Sequence, residues 1–266
     1  YVGGTSGLIY GYVNDGFYTV ADFESFDSKS RTWKLKEGVV DSSPLSDTPR
    51  PGNAKFKKLT PVDPNSTNPY QLTEADRTVI GNTTPKFSGG FGLNATYKGF
   101  DMSMFFNFMY DFDVLNANKI MLTTWADNKE NNFLMDIASD KRWRNFDDMG
   151  NEIRYSLEVL AEFNKNATMW NPTSIGRPIC MSYAVEDGSF LRLNSATLGY
   201  TLPSVWTKKV GLSKVRFYVS GNNLFTLTGY SGYDPEVNIA TGLTPNIDYD
   251  RYPRSRTYTF GAQLTF

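Results

Sequence analysis

The sequence contains no histidine, and this excludes most of the common catalytic and zinc-binding arrangements. A Ser-His-Asp or Cys-His arrangement cannot be built, and neither can a zinc site with histidine ligands. Cysteine is nearly absent as well. The single Cys180 can form no internal disulfide, and without a histidine to activate it we expect a small buried side chain, not a nucleophile.

Long apolar runs and an excess of charge are also missing. No run of about 18 apolar residues occurs, so the sequence predicts no membrane-spanning helix. A membrane β-barrel would leave no such run either, because only alternate strand residues face lipid. The net charge of -1 gives no reason to expect a nucleic-acid partner. Tyr1 is not followed by the basic and apolar regions of a signal peptide, so we expect the sequence to begin inside a longer or processed protein.

Aromatic residues are abundant, at 15% of the chain with 16 Tyr and 19 Phe. This enrichment is typical of a β protein or of aromatic girdles at a membrane surface. With 40% hydrophobic residues in 266, the chain is long enough for one large folded domain or two small ones.

The final stretch, Arg254 to Phe266, alternates between apolar even positions and polar odd positions. Such alternation gives a strand one apolar and one polar face, and the stretch is about as long as a tilted strand that crosses a bilayer. The last residue is an aromatic one, as in many outer-membrane barrels. The last strand of a soluble sandwich is the alternative at this point.

Residues 87–97 and 100–110 alternate in the same way on either side of Lys98-Gly99. They predict a β-hairpin with a two-residue turn and a long, uninterrupted apolar face. Phe190 to Leu202 changes parity midway, and a bulge near Asn194-Ser195 would put its apolar residues on one face. Val215 to Val219 predicts a further strand.

The connections between these strands alternate in length: short at 98–99, long at 112–187, short at 203–213 and long at 229–253. Outer-membrane barrels have brief turns on the periplasmic side and extended loops outside, whereas a soluble sandwich has no cause for this sorting. Within the first long connection, Met135 to Arg144 and Glu152 to Asn164 are candidate helices. The connection 203–213 is expected to hold one helical turn.

The upstream region is polar and interrupted by prolines, so residues 27–84 predict long loops with little regular structure. Before it, Asn14-Asp15-Gly16 is a turn signal. Asp63, Asn65 and Asp76 are scattered oxygen ligands whose spacing does not fit a calcium-binding EF-hand loop. Solvated loop carboxylates are the expectation there, with no metal and no cofactor.

Several motifs in order resemble the SusC/RagA family, the TonB-linked outer-membrane receptors of Bacteroidetes. The matching segments are DRTVIGN with PKF (76–82, 85–87), YKGFD (97–101), EDGSFLRL with LGYTLP (186–193, 198–203), SGNNLFT with YSGYDPE (220–226, 230–236) and YPRSRTYTFG (252–261). Gly11-Tyr12 and Asp15-Gly16-Phe17 resemble a motif further upstream. Pro61 to Thr73 departs from the Asp/Gly-rich stretch common in the family, and Phe112 to Ser182 shows little match.

The resemblance implies an all-β chain that holds about five spanning C-terminal strands of a 22-stranded antiparallel transmembrane β-barrel. Short helices are expected in its long extracellular loops. Residues 1–86 are expected to form an upstream β and loop region, largely extracellular. Residues 87–266 are expected to form the C-terminal barrel strands, with long extracellular loops at about 112–187 and 229–253.

The family resemblance also implies a function, which is import of glycans or peptides through the outer membrane without enzymatic activity. The implied partners are a SusD-like surface lipoprotein, the TonB complex through an N-terminal part absent from this chain, outer-membrane lipid, and an oligosaccharide or peptide substrate. Aromatic residues of the loops are candidates for substrate contact, because their rings can cover apolar patches of sugars, but packing within the loops is the first expectation for the tryptophans. The candidates are Trp125, Trp143, Trp170, Tyr230 and Tyr233. Asp234-Pro235-Glu236 is read first as a turn that anchors its loop and second as a polar substrate contact.

The two strand faces are expected to have different surroundings. The apolar residues expected to face lipid are Phe91, Leu93, Met104, Phe106, Phe217 and Phe260. The polar residues expected to face the lumen or plug are Asn94, Asn107, Arg216 and Gln263.

Two other functions remain open from the sequence. A soluble secreted all-β carbohydrate-binding module would bury the apolar strand faces in a core and would dissolve without detergent. A glycosidase would need a carboxylate pair such as Glu186 and Asp187, but neighbours in a strand point to opposite faces and would not converge on a substrate.

Overall fold

The structure, a computed structural model, describes residues 5–46, 48–124, 133–138, 140–237, 246–249 and 252–266. The chain forms two compact units, each discontinuous in sequence. Unit 1 comprises Tyr1–Gly81 with Leu115–Val185, and unit 2 comprises Asn82–Val114 with Glu186–Phe266. Most of the long connection 112–187 therefore folds in the same unit as the upstream region, so the units do not follow a single boundary at residue 86.

The described residues form mainly strands, with a few short helices. The strands are β1 Leu8–Gly11, β2 Asn14–Phe17, β3 Phe23–Asp27, β4 Thr32–Leu35, β5 Ala54–Phe56, β6 Thr78–Asn82, β7 Phe87–Tyr97, β8 Phe100–Tyr110, β9 Asp113–Asn116, β10 Val185–Asp187, β11 Phe190–Thr201, β12 Lys214–Thr228, β13 Ile247–Asp248 and β14 Thr257–Thr265. The α-helices are α1 Ala117–Met121, α2 Leu157–Phe163 and α3 Ser204–Thr207. The 3-10 helices are Val20–Asp22, Glu74–Asp76, Met135–Ile137, Pro172–Ser174, Ser182–Ala184 and Lys208–Val210.

Among the described residues, no helix has the length and apolar character needed to cross a membrane.

Unit 2 is built on a five-stranded antiparallel sheet in the order β14-β12-β11-β8-β7. The predicted hairpin is confirmed: β7 and β8 pair without interruption from Phe87 opposite Tyr110 to Tyr97 opposite Phe100. Lys98 and Gly99 both have positive φ, 45° and 89°. Two consecutive residues with positive φ define the type I′ turn, whose twist matches that of the flanking strands.

The predicted bulge in β11 is also confirmed. Leu193 lies opposite Phe106 of β8 and Ser195 opposite Phe105, so Asn194 is an extra residue in β11. An extra residue restores a common face to segments of opposite parity, because side chains alternate along a strand. Leu191 and Leu193 thereby lie on the same face as Ala196 and Leu198.

Unit 1 contains short strand pairs around two hydrophobic clusters, with β1 beside β6, β2 beside β5 and β3 beside β4. The larger cluster surrounds Phe56, Trp170 and Met181. The smaller cluster holds Trp143, Ile153 and Leu160. The described part of the region 27–84 is mainly loop, as its prolines predict, and the short strands that it holds, β4, β5 and β6, pair with β3, β2 and β1.

Local predictions in unit 1 are partly wrong. The candidate helix Met135–Arg144 is reduced to the 3-10 turn Met135–Ile137, because Arg142 forms a bridge with Met169 and Trp143 N–H donates to the Met169 carbonyl. The candidate helix Glu152–Asn164 is shortened to α2, because Glu152 pairs with Phe146. Asn14–Phe17, where a turn was predicted, is instead a strand. Its pairing with β5 is irregular between Asn14 and Phe17, and Gly16 lies there at φ 77°.

Candidate functional site

The five-stranded sheet aligns the apolar side chains of its strands into rows on one face. Each row crosses the sheet from one strand to the next at a fixed height. From the short-turn end upward, the rows are Tyr97-Phe100-Tyr200-Phe217-Ala262, Ala95-Met102-Leu198-Val219-Phe260, Leu93-Met104-Ala196-Gly221-Tyr258, Phe91-Phe106-Leu193-Phe225 and Gly89-Phe108-Leu191-Leu227. We call this surface the apolar face.

Most of the apolar face remains open. Phe91 keeps 44% of its surface exposed, Leu198 47% and Phe260 80%, and Phe106 is half-buried. Within the described part of the chain, neither a second sheet nor a helix layer seals these side chains. An open apolar surface of this extent is too large for the solvent-facing side of a soluble protein.

Aromatic rings lie at both ends of the apolar face as well as within it. Phe100 and Tyr200 pack at 4.5 Å between ring centroids at the short-turn end, and Phe87 and Tyr110 stack at 4.9 Å at the other. Between the two ends, the face carries aliphatic side chains such as Leu198 together with rings such as the stacked Phe91 and Phe106. β7 has 11 residues, so its ten steps span roughly 34 Å, or about 24 Å along the normal at a 45° tilt. This matches the apolar band of about 25 Å between aromatic girdles in membrane barrels.

The opposite face of the sheet is polar and carries an ion pair that spans three strands. Arg216 of β12 reaches Asp101 of β8 through a bidentate contact, with Nε 2.9 Å from Oδ1. The guanidinium crosses β11 above Gly199, where an added Cβ would lie 2.4 Å from Nη2. A side chain at position 199 would therefore displace the guanidinium from this arrangement.

A second cluster of charges fixes the loop after β12. Arg192 is 1% exposed, and its guanidinium pairs with Asp234 and lies 3.4 Å from Glu236. Arg254 Nη2 lies 2.9 Å from Glu236 Oε1. The Asp234 carboxylate also accepts the Glu236 amide, which closes a local turn. Asp234-Pro235-Glu236 therefore anchors its loop, as the first reading of this motif predicted.

The structure gives packing positions to three of the four described candidates for substrate contact. Trp143 and Trp170 are buried in the clusters of unit 1, with 3% and 2% of their surfaces exposed. Tyr230 is buried beside Phe112 and Phe190, and its Oη donates to Asp248. Such rings have no open face for a sugar in this conformation, and the side chains of these three residues pack within the fold.

Tyr233 is the described candidate that remains accessible, with 81% of its surface exposed. Trp125 lies outside the described residues.

Burial and the nearby Asp248 carboxylate raise the pKa of Tyr230 far above its ordinary value, so its hydroxyl stays protonated as a donor.

Asp76 has a role that the sequence reading missed. It is fully buried, and its Oδ1 accepts from the Leu59 amide, the Thr60 amide and the Thr60 hydroxyl at 2.7–2.9 Å. Its Oδ2 accepts from the amide and hydroxyl of Thr73. Burial opposes ionisation, but these hydrogen bonds outweigh it and hold the pKa of Asp76 well below its usual range.

The expectation of a solvated loop carboxylate is therefore wrong for Asp76. The signal was present in the sequence, since Thr73 and Asp76 have the spacing of a capping box. Thr19 and Asp22 repeat this arrangement. In the part of the chain that the structure describes, no group of three acidic or cysteine side chains is placed to hold a metal ion.

The other residues considered for catalysis, Glu186, Asp187 and Cys180, have structural surroundings. The Glu186 carboxylate accepts from the amide and hydroxyl of Ser231, and Asp187 accepts from the amide and hydroxyl of Ser189. The two carboxylates therefore hold different loop segments and do not face a common site. Cys180 is half-buried, and burial raises the pKa of its thiol, which disfavours the reactive thiolate.

Comparison with known proteins identifies the architecture. No protein-family model matches the chain. The TonB-dependent receptor P3 of Formosa agariphila is 32% identical over 266 residues, which cover 98% of this chain and 22% of the relative. The TonB-dependent receptor SusC of Bacteroides thetaiotaomicron is 36% identical over 88 residues, which cover 32% of this chain and 8% of that protein.

The chain belongs to the TonB-dependent receptors of the SusC type. The RagAB peptide transporter has a similar fold, with a TM-score of 0.60 and 21% identity over 99% of this chain and 23% of the solved chain. The chain spans about a fifth of the length of the TonB-dependent receptor P3 and of the solved RagAB chain. The mostly-strand architecture of this SusC-type chain is therefore that of one part of a larger receptor.

Proposed function

We propose that this chain is the C-terminal part of a TonB-dependent nutrient importer in the outer membrane of a Gram-negative bacterium. Its five-stranded sheet contributes to a 22-stranded β-barrel. The observation that carries the proposal is the open apolar face, bordered by aromatic rings and backed by a polar face that holds the Asp101–Arg216 pair. Lipid wets the first face and the barrel lumen lies behind the second.

The two edges of the sheet support a larger barrel. Among the described strands, β7 pairs only with β8 and β14 only with β12. An open strand edge leaves backbone amides and carbonyls without partners, which is unfavourable in lipid. Strands of the parent receptor outside this chain therefore pair with both edges and close the barrel.

The long connections face the cell exterior in this arrangement. The loop after β12 then lies where cargo first arrives, and the exposed ring of Tyr233 is a candidate cargo contact. The working complex includes a SusD-like surface lipoprotein, and TonB supplies the energy through a part of the receptor outside this chain. The cargo is a glycan or a peptide.

The apolar face argues against a soluble carbohydrate-binding module. Such a module has no lipid to cover side chains such as Phe91, Leu198 and Phe260, and would present them to water. The bracketing of Glu186 and Asp187 by different serines likewise gives no support to a glycosidase.

Deletion of the gene that encodes the receptor, followed by growth on defined nutrients, tests the proposal. We expect the deletion to abolish growth on one class of oligosaccharide or oligopeptide and to leave growth on monosaccharides and free amino acids unchanged. Wild-type receptor should restore growth only when TonB is present. Normal growth on every oligomer, or recovery of the receptor in the soluble fraction without detergent, would overturn the proposal.

A further inference from the structure

The short connection between β11 and β12 carries an unusual concentration of exposed apolar side chains. α3 and the 3-10 turn Lys208–Val210 form this connection. Val205, Trp206 and Val210 keep 69%, 61% and 71% of their surfaces exposed. A seven-residue helical segment that serves only to reverse the chain has no need for an open tryptophan and two open valines.

The segment is held in a defined conformation. Pro203 caps α3, and Gly211 ends the 3-10 turn in the left-handed region at φ 75°. Thr207 is buried, and its carbonyl accepts from the Leu212 amide. The Ser213 amide and hydroxyl bind the Thr265 carbonyl of β14. The exposed side chains therefore belong to a structured element fixed at the end of the sheet.

This element continues the apolar face at its short-turn end. The Leu202 amide donates to the Val215 carbonyl, and Val215 lies opposite Leu264. Val215 is 6% exposed, whereas Phe217, two residues further along the same face, is 51% exposed. α3 packs against β12, the strand that holds Val215.

The charge of the segment is of one sign. Lys208, Lys209 and Lys214 lie in it, and no acidic residue occurs from Pro203 to Arg216. Among the described residues, no carboxylate lies within ion-pair distance of Lys208 or Lys209. Their ammonium groups can therefore bind anionic groups outside the chain.

We propose that residues 203–214 form an interfacial anchor that binds the phosphate-bearing headgroup layer of the membrane on the short-turn side of the barrel. Val205, Trp206 and Val210 enter the boundary between acyl chains and headgroups, and Lys208 and Lys209 bind lipid phosphates. This inference rests on the proposed function, because it requires the apolar face to lie in lipid.

The chemistry favours lipid over a protein partner. Indole rings prefer the membrane interface because they are apolar in body and carry one N–H donor. Lysine side chains next to an apolar surface extend their ammonium groups to the headgroups. The segment that carries both features begins three residues after Tyr200, at the end of the sheet where Tyr97, Phe100 and Tyr200 form an aromatic row.

Spin-label accessibility in the receptor reconstituted into lipid nanodiscs tests the position of the anchor. Labels are placed at Val205→Cys and Trp206→Cys in a background without other cysteines, including Cys180→Ala. Phe217→Cys reports the apolar face, and Thr197→Cys reports the polar face. We expect labels at positions 205, 206 and 217 to be relaxed more by oxygen than by a nickel chelate, with 205 and 206 the shallower.

The outcomes separate the two proposals. Greater accessibility to the nickel chelate at 205 and 206, with lipid exposure kept at 217, overturns the anchor and leaves the proposed function standing. Nickel accessibility at position 217 instead overturns the proposed function itself.

The lysines are tested by the shift in unfolding temperature when lipid is added to the detergent-solubilised receptor. We expect phosphatidylglycerol to raise this temperature more than phosphatidylcholine does, and the Lys208→Gln/Lys209→Gln variant to lose at least half of the difference. The Lys34→Gln/Lys57→Gln variant, changed at two exposed lysines of unit 1, should keep it. An undiminished difference in the first variant overturns the phosphate contact. An equal shift produced by inorganic phosphate alone overturns lipid as the source of the phosphate, and with it the anchor.

Discussion

Asp76 shows how one buried carboxylate can organise several loop segments. Its two oxygens accept hydrogen bonds from Leu59, Thr60 and Thr73, and Lys58 Nζ lies 3.4 Å from Oδ2. The segments before and after residues 61–72 are therefore tied to one side chain. A carboxylate with this many donors is ionised although it is buried, because its partners replace the hydration that it loses.

Replacement of Asp76 with alanine should open this part of unit 1. We expect Asp76→Ala to leave buried donors without acceptors and to lower local stability by about 3 kcal/mol. Hydrogen exchange of the Thr60 and Thr73 amides should then accelerate by roughly 100-fold. The control Asp63→Ala, at an exposed turn, should leave these two amides unchanged. Slow exchange in Asp76→Ala would contradict the bracing role.

The same carboxylate makes the stability of unit 1 depend on pH. Because the pKa of Asp76 is lowered in the folded state, its stabilisation is complete above the unfolded pKa of about 3.9. The stabilisation is lost as pH falls through the lower, folded value. Exchange at Thr60 in the wild-type protein should therefore approach that in Asp76→Asn under strongly acidic conditions. A difference that persists below both pKa values would refute this linkage.

The β7–β8 hairpin is the element whose prediction from the sequence was most complete. Alternation fixed which residues share a face, and Lys98-Gly99 fixed the turn, because a type I′ turn needs two residues that tolerate positive φ. The candidate helices Met135–Arg144 and Glu152–Asn164 form only in part, for the opposite reason. Their backbone groups pair with distant segments such as Met169, and local propensity carries no record of such a partner.

The turn residue Lys98 offers a test of this account at the level of the element. Lys98→Val places a β-branched side chain at φ 45°, which should cost about 1–2 kcal/mol. Lys98→Asn should be neutral or stabilising, because asparagine favours this region. Urea unfolding of the receptor in micelles measures both variants. Equal midpoints for valine and asparagine would show that the turn does not need positive φ.

At the scale of the whole molecule, the two faces of the sheet should respond differently to the same charge. Leu198→Arg places a guanidinium midway along the apolar face and should destabilise the folded receptor in lipid by about 2–4 kcal/mol. Thr197→Arg, its neighbour on the polar face, should have a much smaller effect. Folding into lipid vesicles, followed by heat-dependent migration on gels, measures the folded fraction. Equal losses for the two variants would contradict a lipid-facing assignment.

The sequence by itself determined the strand alternation, the tight turn at 98–99, the bulge near Asn194 and the absence of histidine chemistry. These features follow from local periodicity and residue type, which need no knowledge of distant partners. Only the tertiary structure decided that Trp143, Trp170 and Tyr230 are buried, that Asp76 braces its loops, and that residues 115–185 fold with the upstream region. Burial and pairing depend on segments far apart in the chain. The free energy of these contacts is gained only in the folded structure and cannot be read from local sequence.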